Sequence, residues 1–122
     1  MRLPGWIAAA MLLPALGLVS GCHSYQVDTV VQNRSGNDVK LLEVDYPSAG
    51  FGTDVLRAGA SYHYRFQIRG SGPVKVQYTE AKTLTVRQIV GPDLYEGQEG
   101  RLTIALLPQG KADFTAVLTP KH

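Results

Sequence analysis

The chain has 122 residues, with 12 Lys and Arg against 10 Asp and Glu, a formal net charge of +2 and one cysteine. That length suits one small domain and not two, and the near-balanced charge lacks the basic excess of a nucleic-acid binder. A single cysteine leaves no disulfide staple and no cysteine metal site, so packing alone has to hold the fold.

The amino-terminal stretch reads as an export signal. Arg2 is its only charge, and the apolar run from Trp6 to Val19, interrupted by Pro14 and Gly17, falls short of the roughly 20 residues that an untilted membrane helix needs. The run ends in Val19-Ser20-Gly21-Cys22, a branched apolar residue, two small residues and a cysteine. This resembles the lipobox of bacterial lipoproteins. The resemblance implies that the Cys22 thiol takes a diacylglycerol group, that the signal is cut between Gly21 and Cys22, and that the new amino terminus gains a further acyl chain such as palmitate. Two or more chains give a stable anchor, because each buried methylene contributes about 0.8 kcal/mol and one chain alone binds reversibly. In that family an aspartate after the lipidated cysteine retains the protein at the inner membrane. His23 stands there in this chain, which implies the periplasmic face of the outer membrane in a Gram-negative cell.

Three parts follow from this reading: a cleaved signal over residues 1–21, a lipidated tether over 22–26 and a β domain over 27–119. Removing the signal from 122 residues leaves 101, and the loss of Arg2 brings the formal charge to +1. The tether from His23 to Gln26 reaches only about 15 Å at full extension, so the domain is expected to work close to its membrane.

The first β-prone run is Val27 to Asn33, and Arg34 to Asp38 is a cluster of turn residues in which Gly36 and Asn37 accept positive φ. Val39 to Tyr46 is the next strand. Val39 and Leu41 share one parity while Leu42, Val44 and Tyr46 share the other, which predicts a β-bulge at Leu41-Leu42 and puts Glu43 and Asp45 in solvent. Pro47 to Gly50 breaks this strand, and Phe51 to Leu56 forms a short edge segment. From Ser61 to Arg69, Tyr62, Tyr64, Phe66 and Ile68 alternate with polar residues, predicting one aromatic core face and one basic outer face. Val74, Val76 and Tyr78 mark a further strand, joined through Glu80-Ala81-Lys82 to a run from Thr83 to Val90. Gly91 to Gly100 is the longest irregular stretch, pinned by Leu94 or Tyr95. A terminal hairpin closes the chain: Leu102, Ile104 and Leu106 on one strand, then Pro108-Gln109-Gly110, then Ala112, Phe114, Ala116 and Leu118 facing inward.

Seven or eight short strands without a helical period predict an all-β fold, a single antiparallel β-sandwich. Its architecture resembles immunoglobulin-like modules without their cysteine pair and tryptophan; a small β-barrel is the alternative.

No catalytic constellation emerges. Of the histidines, His63 alone has a strand position, on the outer face with Arg65, and no serine sits in a nucleophile elbow. Zinc lacks ligands, and the acids Asp93, Glu96 and Glu99 lack the spacing of an EF-hand loop, so no metal or cofactor is expected. Glu43 and Asp45 share a face as glycosidase acids do, but alternation puts the charges of any strand together. The loop between Tyr46 and Phe51 offers an aromatic partner anchor, or else simply closes the core. Tyr46, Phe51, His63 and Arg65 are thus the candidate partner-binding residues. The expected function is a lipid-anchored, non-enzymatic binding or assembly accessory of the envelope, held to the membrane through Cys22 and acting on an envelope protein. A small envelope hydrolase or carbohydrate-active protein using surface carboxylates is the rival.

Overall fold

Alternation of branched or aromatic residues with polar ones produces eight strands in the computed structural model, which describes residues 25–120. Cys22, the Gly21-Cys22 bond and the apolar run before them lie outside the described residues. The strands are β1 (Val27–Asn33), β2 (Val39–Tyr46), β3 (Ala49–Leu56), β4 (Ser61–Phe66), β5 (Gly72–Glu80), β6 (Val86–Leu94), β7 (Gly100–Leu107) and β8 (Lys111–Leu118), with one 3-10 turn, Pro108–Gly110, before the last. They form two four-stranded sheets ordered β4-β1-β7-β8 and β3-β2-β5-β6. Each sheet keeps two edges, so the fold is a β-sandwich and not the closed barrel.

Strands β1 to β6 follow the path of an immunoglobulin Greek key. Within one sheet β2-β3 and β5-β6 are hairpins and β2 adjoins β5, while in the other β1 pairs with β4. The departure is β7, which runs parallel to β1, with Val27 opposite Gly100 and Asn33 opposite Leu106. The other strand pairs are antiparallel, so the expected antiparallel sandwich holds with this one parallel pair inside it. A parallel pair needs a long connection, and the five intervening strands supply one.

The core lies between the sheets. Val27, Val31, Leu102, Ile104 and Leu106 face Val39, Val44, Val74, Val76 and Tyr78, all of them buried. The bulge in β2 is where parity places it: the pairing with β5 shifts register between Lys40 and Glu43, Leu41 takes φ 51°, and Leu41 turns outward while Leu42 is buried.

Three expectations change at sheet edges. Strand β4 ends at Phe66, and although Phe66 is buried, Tyr64 is 38% exposed because β4 has a neighbour on one side only. Strand β6 begins at Val86 and continues through Gly91 and Pro92 to Leu94, which shortens the expected loop. An edge strand accommodates a proline, since one row of its backbone groups has no ladder partner. On β8, the other edge, Ala112, Phe114 and Leu118 are half-buried and Ala116 is exposed.

The loops are held by buried amides. The Asn33 side chain donates to the Leu56 and Asn37 carbonyls at 2.9 and 2.7 Å and accepts from the Ser35 N–H at 3.1 Å, fixing the β1-β2 turn. Gln98 accepts from the Tyr95 N–H at 2.9 Å and donates to the Thr119 carbonyl at 2.8 Å, tying the β6-β7 loop to the segment after β8.

Candidate binding face

Two neighbouring surfaces collect the residues that the sequence singled out. The first is the flank where edge strands β3 and β4 of opposite sheets meet. Tyr46 stacks on Phe66 with ring centroids 3.9 Å apart, and Phe51 stacks on Tyr64 at 4.4 Å, with Tyr62 beyond at 6.0 Å. Phe51 is buried and Tyr46 half-buried, so the two aromatics of the Tyr46 to Phe51 loop close the end of the core. Burial also raises the pKa of Tyr46, with Tyr64 adding to the shift. The ring this flank leaves in solvent is Tyr64.

The second surface is the outer face of the β4-β1-β7-β8 sheet. Pairing is in register, so one row across it reads Arg65, Asp28, Arg101, Val117 and the next reads His63, Val30, Thr103, Thr115. With strands about 4.8 Å apart, side chains in a row are immediate neighbours. The Arg65 Nε donates to the Asp28 carboxylate at 2.6 Å. Arg101, on the other side of Asp28, makes no ion pair among the described residues. These rows line a shallow groove of about 720 Å³, formed chiefly by Asp28, Val30, His63, Arg65, Arg101 and Thr103. Two arginines against one aspartate leave it cationic, with hydroxyl and imidazole donors alongside.

Sequence reasoning placed His63 and Arg65 here. It missed Asp28 and Arg101, whose parity was legible but whose adjacency depends on β1 lying between β4 and β7. Tyr46 and Phe51 belong to the flank instead.

The acids lie elsewhere. Glu43 and Asp45 share the outer face of the opposite sheet, where the Asp45 charge and a side-chain hydrogen bond with it hold the Glu43 carboxyl above its ordinary pKa. Both are exposed, and the hollow beside Glu43, of about 270 Å³, is walled by Leu41, Gly52 and Asp54. Among the described residues no group of three or more His, Asp or Glu is placed to hold a metal ion, and no helix is long and apolar enough to cross a membrane.

No protein-family model matches this chain, and no curated protein does so either. A solved structure is similar: the NMR structure of a protein from Eubacterium rectale, 13% identical, aligned over 84% of this chain and 94% of its own with a TM-score of 0.52. At that identity the likeness concerns the fold, and it places this chain among β-sandwich proteins.

Proposed function

We propose that the chain is a lipid-anchored, non-enzymatic binding or assembly module on the periplasmic side of a bacterial envelope, and that its working surface is the cationic groove on the β4-β1-β7-β8 sheet. The observation that carries the reading is the row Arg65, Asp28, Arg101, set at the start of β1 and therefore at the end of the sandwich nearest the tether. The lipobox over Val19 to Cys22 supplies the anchor and the short tether sets the working distance. Charged groups on a rigid sheet face, open to solvent and set in register, suit recognition of a surface more than enclosure of a substrate.

The test is fractionation of cells carrying Cys22→Ser, combined with photo-crosslinking residues at Thr103 and Gln77, one on each outer face. Cys22→Ser is expected to lose its acyl chains and leave the membrane fraction with the β domain folded, and crosslinks to envelope components are expected to vanish with it. A serine variant that stays with the membrane through salt and carbonate washing refutes the anchor. Crosslinks identical in the two forms refute membrane-proximal work.

A second reading, a small hydrolase using carboxylates, draws on the raised pKa of Glu43 beside Asp45. It requires glycan or ester turnover that disappears in Glu43→Gln.

A further inference from the structure

We propose that the Arg65-Asp28-Arg101 row binds the phosphate of an anionic phospholipid headgroup in the membrane that holds the tether, so that the domain docks on that membrane with a fixed orientation. This deepens the binding-face reading and rests on it. Arg65 and Arg101 flank one residue of β1, so their backbones stand about 10 Å apart. Two arginine side chains at that spacing can converge on a single phosphate, each presenting a planar fork of N–H donors. His63 and Thr103 add donors one row farther along.

The existing partner is easily displaced. Arg65 and Asp28 form an exposed pair, their side chains 65% and 53% accessible, and such pairs contribute little to stability. Arg65 can therefore turn from Asp28 to a stronger anion, and Arg101 has no ion pair to break among the described residues.

Position argues for a lipid. Asp28 is the second residue of β1, within about 20 Å of contour from Cys22. The same row ends in Val117, 70% exposed, and Tyr25 just before β1 is 42% exposed. Cations beside an exposed valine and a tyrosine match the layered chemistry of a membrane interface, where phosphates lie above acyl chains and tyrosine favours the boundary. Of the acids on the β6-β7 loop, the Glu96 carboxylate accepts from the Gly70 N–H at 2.6 Å, and Glu99, whose backbone N–H donates to the Thr119 hydroxyl, precedes β7 and the row. Docking by this face leaves the opposite sheet free to meet a protein.

The experiment uses the full chain with Val117→Cys, labelled at position 117 with a polarity-sensitive fluorophore and reconstituted into vesicles. One set is phosphatidylcholine; the other mixes phosphatidylcholine with phosphatidylglycerol. Mass analysis of the Cys22 peptide from the same sample reads the anchor independently. The label is expected to move to a less polar environment in the anionic vesicles only, with the docked-to-undocked ratio falling about fivefold in Arg101→Gln and in Arg65→Gln. Lys111→Gln, at the far end of the same sheet, is expected to leave it unchanged. Equal behaviour in the two vesicles, or equal loss at Lys111, overturns the site. A response to glycerol phosphate without vesicles, or only when envelope proteins are added, overturns the lipid assignment. An acylated Cys22 with no anionic response leaves the anchor standing and removes the docking; an unmodified Cys22 removes the anchor, and the docking is then read from Val117→Cys combined with Cys22→Ser, whose one thiol is at position 117.

Discussion

The two flanks of the sandwich close the same gap by different means. Between β3 and β4, which share no strand ladder, five aromatic rings fill the opening: Tyr46, Phe51, Tyr62, Tyr64 and Phe66. Between β6 and β8 the closure depends on what is missing. Gly91 has no Cβ, and one placed there would meet the Phe114 ring and the Val74 side chain at 2.6 Å. Beside it the Arg87 side chain lies over Gly110 and pairs with Glu80 at 3.1 Å. One flank is held by apolar area and accepts partial exposure, as Tyr64 shows. The other is held by close approach, which leaves no room to add an atom.

The largest expected effect separates the two. Phe66→Ala removes the ring on which Tyr46 stacks and is expected to cost about 3–5 kcal/mol, while the exposed neighbour Gln67→Ala costs under about 0.5 kcal/mol. Denaturant titration measures both, and equal costs contradict the assignment of faces. Gly91→Ala tests the opposite flank by addition, with an expected loss of about 1–3 kcal/mol from overpacking against Phe114 and Val74. A variant as stable as the parent would show that β8 swings aside and that this flank is as tolerant as the first.

The smallest effect lies away from both flanks, and its sign follows from linkage. The native Glu43 pKa is raised by Asp45, so the folded state holds more protons than the unfolded one from about the ordinary value of 4.5 upward to the raised value. This pair therefore loses stability as pH rises through that window. Glu43→Gln is expected to flatten that slope, read as the urea midpoint against pH, and an unchanged slope rules the pair out as its source.

The bulge at Leu41-Leu42 was legible because a parity break in a half-buried strand has few physical remedies. The outer position of Arg65 and His63 was legible for the same reason. The exposure of Tyr64 and the passage of β6 through Gly91 and Pro92 were not, because periodicity marks a strand's faces without saying whether it lies at an edge. The arginine row was hidden more deeply. Parity turns Arg101 outward, but only the pairing of β1 with β7 sets it beside Asp28.

That pairing also governs the order in which the chain acquires structure. Strand β1 is interior to its sheet, yet Val27 finds one neighbour at Phe66 and the other at Gly100, almost the whole domain later. Synthesis from the amino terminus delivers β1 first and its second partner, β7, only as the seventh of eight strands. Such long-range contacts carry a high loop-closure cost and slow the approach to the native state. Until β7 arrives, Val27, Val31 and an open ladder are presented to any other unpaired strand, so misassembly before completion is the hazard of this topology.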